Sequence, residues 1–162
     1  HGFNEVYNIL SQTKPEWIAV NYIFEAEKLR DMSYENKILV VGPVDISELS
    51  KANSLKLDIF ISSIDQLRAA QSFPELNLHL KIDTGMSRQG FLLNDLSDVS
   101  SFIKQFKPQN IVGICSHFSN VEDVHLHCHV IFAPKIIYRR HDKINKQVIE
   151  IDKLIEKDFY GK

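Results

Sequence analysis

Phe3, Val6, Ile9 and Leu10 recur at spacings of three and four, which predicts an amphipathic opening helix ended near Thr13 to Pro15. Trp17 to Val20 reads as a short apolar strand. Phe24, Ala26 and Leu29, set among Glu25, Glu27, Lys28 and Arg30, predict a helix with a charged outer side. Ile38 to Val41 is an aliphatic run closed by Gly42-Pro43, the pattern of a strand covered on both faces. Asp45, with Glu48 as its capping-box partner, predicts the start of a helix from Ile46 to Ala52. Leu57 to Ile61 is the next apolar strand, and Ser62 or Ser63 caps a helix through Ile64, Leu67 and Ala70 that Pro74 ends.

The following segment differs in kind. Leu78, Leu80 and Ile82 alternate with Asn77, His79, Lys81 and Asp83, so this strand has one apolar face and one face of polar and ionisable groups. A strand inside an α/β fold is covered on both sides, so the polar face must look into a cavity, a packed polar network or a ligand site. Leu96, Val99, Phe102, Ile103 and Phe106 then fall at helical spacing, and Ile111 to Cys115 forms a strand that delivers Ser116 and His117.

Strand and helix thus alternate roughly every twenty residues, which predicts an α/β fold of parallel strands joined by right-handed crossovers. Five strands are expected, ending at Val20, Val41, Ile61, Ile82 and Cys115. An open doubly wound sheet and an incomplete barrel both fit that pattern. The segment 124–162 departs from it and reads as a divergent, helical C-terminal piece, with Ile144, Val148, Ile151 and Leu154 on one side of a charged helix.

Length changes the picture next. A chain of 162 residues holds one domain with a sizeable core, but a complete eight-fold barrel takes about 200 residues or more. A formal charge of -2 gives no global attraction to nucleic acid or to an anionic membrane surface. The two cysteines, Cys115 and Cys128, make no disulfide framework and read as free thiols of a reducing compartment. With no apolar window of membrane-spanning length and no signal-peptide pattern, a cytoplasmic protein is expected. The chain begins with His1, so it is expected to start inside a longer or truncated gene product.

Candidate chemistry concentrates between Lys81 and Phe91, KIDTGMSRQGF. Gly85 is suited to positive φ at the strand's end, and Arg88 presents a fork of donors that holds a carboxylate or phenolate oxygen bidentately. Lys81 faces inward by alternation, and a buried ammonium needs a carboxylate or a modification to compensate it. The plain alternatives are a surface Arg88 and a Lys81 paired with Asp83 or Asp58. His125, His127, Cys128 and His129 carry zinc-type ligands, but their spacing matches no closed tetrahedral pattern, so no metal site is expected. Arg139-Arg140 is too small a cluster to indicate nucleic acid.

The stretch from Lys81 to Gly90 resembles the alanine racemase family, which carries the same Lys-hydrophobic-Asp-Thr-Gly-Met-small-Arg-x-Gly pattern. His1-Gly2, Trp17 to Arg30 and Ser116-His117-Phe118 resemble further family segments, and the resemblance fades after Asp123. It implies a partial (β/α)8 TIM-like barrel over 1–123. It also implies a fragment of a pyridoxal 5'-phosphate-dependent racemase that interconverts L- and D-alanine for bacterial cell-wall synthesis, a homodimer at full length. Under it Arg88 touches the cofactor's phenolic oxygen and the substrate carboxylate. Lys81 supports Arg88, carbamylated in many members, and His117 packs against the pyridine ring. The cofactor-bearing lysine and the catalytic tyrosine of the family fall outside this chain, so no activity is expected of it alone. The rival expectations are a non-catalytic remnant or split-enzyme half, another racemase using this cofactor, and a related pyridoxal phosphate-binding protein.

Overall fold

In the computed structural model, which describes residues 2–13, 15–83, 86–106 and 110–116, each of the five apolar runs becomes a parallel strand. These are β1 (Trp17–Val20), β2 (Lys37–Val40), β3 (Asp58–Ile61), β4 (Asn77–Lys81) and β5 (Ile111–Cys115). Helix α1 (Phe3–Thr13) precedes β1, and α2 (Ile23–Asp31), α3 (Leu49–Ser54), α4 (Ile64–Ala70) and α5 (Leu96–Phe106) fill the crossovers in turn. The strands lie side by side in the order of the chain, β1-β2-β3-β4-β5. A doubly wound sheet reverses its order at a switch point, whereas successive barrel strands never do. The partial barrel is therefore the arrangement these residues adopt.

The two faces of the sheet are built differently. Toward the helices, Ile38 and Val40 of β2, Ile59 and Ile61 of β3, and Leu78 and Leu80 of β4 are fully buried. They join Ala26, Leu49, Ala52, Leu67, Ala70 and Val99 of the helices in one aliphatic layer. Each large side chain so buried contributes roughly 1.5–3 kcal/mol, so this layer carries most of the fold's stability. The opposite face holds a smaller cluster, Leu39, Phe60 and Cys115 with Trp17 and Val41 packed against it, together with the polar side chains of β4. Between β4 and β5, Leu78 pairs Ile111 while His79 pairs Gly113, so Val112 is an extra residue. This bulge brings Cys115 into register with Lys81 on the inner face.

Local signals act as the residues dictate, with three corrections. Asp45 accepts from the Ser47 amide at 2.8 Å and its own amide donates to Glu48 Oε2 at 3.1 Å. The turn so capped is a 3-10 turn over Ile46–Glu48, with the α-helix beginning only at Leu49. Ser63 is the cap of α4, accepting from the Gln66 amide at 3.2 Å. Phe24 is not on the inner side of α2: Ile23, Ala26 and Leu29 are, and Phe24 is 53% exposed. Residues two apart on a helix cannot share a face, so Phe24 instead stacks on Tyr22 with ring centroids 5.5 Å apart. Phe106, the last residue of α5, is likewise half exposed against Phe102.

Where the strands begin, one side chain ties the connections together. Arg30 donates from Nε to the Leu55 carbonyl at 3.1 Å, from Nη1 to Tyr34 at 2.5 Å and Asn36 at 2.8 Å, and from Nη2 to Lys56 at 3.4 Å. Tyr34 and Asn36 in turn both donate to the Pro15 carbonyl, at 2.7 and 2.9 Å. The turns that precede β1, β2 and β3 are thereby locked to one another.

Candidate functional site

Parallel strands direct their carboxyl ends to one rim, and the residues just past those ends are the ones a ligand meets. After β2 the chain must pass close to the end of β1. A Cβ at Gly42 would lie 2.1 Å from the Asn21 carbonyl, so only glycine fits there. The Val41 amide donates to the Val20 carbonyl at 2.8 Å, holding the two strand ends in step.

The loop after β4 folds back on its own strand. Phe91 donates its amide to the Lys81 carbonyl at 2.7 Å, and the Asp83 amide donates to the Phe91 carbonyl at 2.9 Å. Gly90 makes this possible at φ 135°, since a Cβ there would lie 2.6 Å from the Asp83 nitrogen. Ser87 also takes a left-handed φ, 51°, and its amide donates to Asp83 Oδ1 at 3.1 Å. Gln89 is half-buried, and its Nε2 donates to the Val41 carbonyl at 3.0 Å. Arg88 lies between these two, exposed at the rim, and no hydrogen bond or ion pair to another described residue engages its guanidinium. Its five donors are chemically suited to a carboxylate, phenolate or phosphate oxygen.

Below the rim the polar face of β4 is buried, as the alternation requires. Lys81 is 4% exposed, with Nζ 5.3 Å from the Phe60 ring centroid. Beside it, burial pushes the Cys115 thiol up to about 12, against a smaller downward pull from the Lys81 charge. Cys115 is therefore a protonated packing residue and no nucleophile. Deeper still, His79 Nε2 and Asp58 Oδ2 form a hydrogen bond of 2.8 Å with both side chains 3% exposed. Asn77 Nδ2 donates to the other oxygen of Asp58 at 3.1 Å. The His79 ring meets the edges of Trp17 and Phe60 at centroid distances of 6.3 and 6.5 Å.

The predicted site residues thus fall as follows. Arg88 and Lys81 belong to a single strand-and-loop unit, one exposed at the rim and one buried beneath it. The expectations for His117, for Gly85 and for the segment 124–162, its His-Cys cluster included, lie outside the described residues. Among the described residues no group of three His, Cys, Asp or Glu could hold a metal ion, and no helix is long and apolar enough to cross a membrane. The sequence reading missed Gln89, which carries no motif signal of its own, and the His79–Asp58 pair, for which the inward alternation of His79 was the available clue. What the arrangement offers is binding and orientation of an anionic group above the buried inner face of β4.

A family model for the alanine racemase N-terminal domain matches residues 1–155. The alanine racemase of Fusobacterium nucleatum subsp. nucleatum is 35% identical over 120 residues, which cover 74% of this chain and 34% of that protein. The chain spans about a third of the length of the curated relatives it matches. The solved alanine racemase of Clostridium difficile 630 superposes with a TM-score of 0.66 at 22% identity, covering 100% of this chain and 42% of the other. A histidine racemase from Leuconostoc mesenteroides subsp. sake superposes with a TM-score of 0.65 at 21% identity, over 95% of this chain and 39% of its own.

Proposed function

The chain belongs to the family of the alanine racemase N-terminal domain, and from that premise we propose that it is a barrel segment of a pyridoxal 5'-phosphate-dependent alanine racemase. The observation that supports this is Arg88: a guanidinium whose donors no other described residue takes up, on a loop clamped to the carboxyl rim of successive parallel strands. The donor chemistry fits the group. Arg88 would hold the cofactor's phenolic oxygen and the carboxylate of the amino acid, fixing the substrate's orientation. Lys81 would act from beneath, its buried charge biasing the loop's polar face, with carbamylation as the modification that turns it into an acceptor for Arg88. His117 would pack against the pyridine ring. When bound, the cofactor supplies an electron sink for the charge left as the α-proton departs.

Three groups on the inner face do not remove that proton. Cys115 holds its own too tightly, and Asp58 and His79 are engaged with each other below the rim. The lysine and tyrosine that the family uses on the two faces of the substrate fall outside this sequence. On this reading the barrel segment binds and orients, and removal of the proton belongs to a cytoplasmic homodimer of full-length chains. The edge strands β1 and β5, each bonded on one side only within the described sheet, favour such assembly. Alanine is the substrate the curated relatives suggest; the barrel alone also serves a histidine racemase, so other amino acids stay in view.

The test uses the chain as it is. Isotope exchange at Cα of L-alanine should show no turnover by this polypeptide with added pyridoxal phosphate, and turnover would refute the inactive-fragment reading. Pyridoxine 5'-phosphate, which has no aldehyde to condense with surface lysines, should bind weakly. Arg88→Ala should weaken that binding about tenfold, the effect of one charge-assisted contact. Unchanged affinity would remove Arg88 from the site.

A further inference from the structure

The loop that presents Arg88 is held on both sides of that residue. Immediately before it, the Ser87 amide is fixed by Asp83 Oδ1; immediately after it, Gln89 Nε2 is fixed by the Val41 carbonyl. The second hold is the longer reach, for it crosses from the loop after β4 past β3 to the end of β2. There Val41 is itself bonded to the end of β1. The two holds fix the backbone of Arg88 while using none of its guanidinium donors. A side chain placed in advance does not lose loop freedom again when its ligand arrives, which is how pre-organisation raises affinity.

We infer that Gln89 is a positioning residue for Arg88, setting the guanidinium at the rim through its bond to the Val41 carbonyl. This rests on the reading of Arg88 as the anion-holding group of the site. A glutamine is well matched to that role, since its length spans from loop to strand end and its amide donates without adding a charge that would compete for the anion.

Gln89→Met keeps nearly the same volume and removes the donor. Two readouts follow in this variant, with thermal unfolding as the check of folding. The heteronuclear NOE of Arg88 Nε should fall, reporting a looser side chain on the fast timescale. Affinity for pyridoxine 5'-phosphate should fall about fivefold, the loss of one neutral hydrogen bond. In an Arg88→Ala background the same change should alter affinity little, since Gln89 would have nothing left to position. An equal loss in both backgrounds, or an unchanged NOE, overturns the inference. Should Gln89→Met fail to fold, Gln89→Asn keeps the amide but shortens its reach and must give the same two effects; failure of both to fold also overturns it, making the residue structural. If the unmodified chain binds no pyridoxine phosphate, the cofactor reading falls, and the NOE alone decides whether Gln89 sets Arg88.

Discussion

Two arginines mark the two ends of the strands, and they are used in opposite ways. Where the strands begin, Arg30 gives its donors to the carbonyls of Tyr34, Asn36, Leu55 and Lys56. Where they finish, Arg88 is held by its neighbours on the chain and keeps its donors open to solvent. The same contrast runs through the interior of β4. Its lower residues, Asn77 and His79, close on Asp58 in a buried network, while Lys81 and Asp83 approach the rim. One end of this barrel segment consumes its polar groups to hold the turns together, and the other leaves one strong donor set available. That division is the one expected of barrels whose chemistry sits at the carboxyl ends of the strands.

The largest effect should come from the closed end. Asp58→Ala removes the acceptor that His79 and Asn77 both use in a dry interior, and breaking a buried pair in this way costs about 3 kcal/mol or more. Asp58→Asn, which keeps the shape and one acceptor, should cost less. Urea unfolding of the two variants checks this. A loss under about 1 kcal/mol, the net worth of an ordinary hydrogen bond, would mean that the network is not what closes that end.

Arg30→Ala comes next, at about 2 kcal/mol, because four carbonyls lose a charged donor, with the sum reduced by solvent access at this half-buried site. Arg30→Lys should recover only part of the loss, since a single ammonium cannot reproduce the planar fork. Arg88→Ala is the matched control and should move stability by no more than about 0.5 kcal/mol, as for a surface change. Equal losses from the two arginines would erase the contrast between the ends.

The open end was the more legible of the two in the sequence, for a physical reason. The alternation through β4 places Lys81 inward because side-chain direction in a strand is set by parity alone, and Lys81 is indeed buried. The contiguous loop around Arg88 announces itself by residue type. The closed end gives no such sign: the partners of Arg30 are main-chain carbonyls up to 26 positions away, and a carbonyl looks alike in every residue. Asp58 was visible as a partner for some inward group. That it takes His79 depends on the pairing of β3 with β4, where Asp58 lies opposite Asn77. Phe24 was misplaced because grouping apolar residues by composition ignored the helix period, and the bulge at Val112 depends on a register that no local pattern encodes.

The smallest effect at neutral pH, and the one that locates the boundary between the two ends, belongs to Cys115. Its thiol ordinarily loses its proton near 9.0, but burial beside Phe60 and Leu39 raises that to about 12. Below pH 9 both the folded and unfolded chains keep the proton, so the protection is fully present. Between those values the unfolded chain releases it and the folded one does not, so stability must fall as pH rises, by up to about 1.4 kcal/mol per unit. Lysines and tyrosines titrate in the same range, so the informative quantity is a difference. Cys115→Ala should be somewhat less stable than the parent at pH 8, from the small void it leaves. It should then lose less than the parent on going to pH 10, so the gap between them narrows. A constant gap would place water at Cys115 and move the wet rim down to the level of Lys81; a narrowing one keeps the wet zone above them, at the loop that carries Arg88.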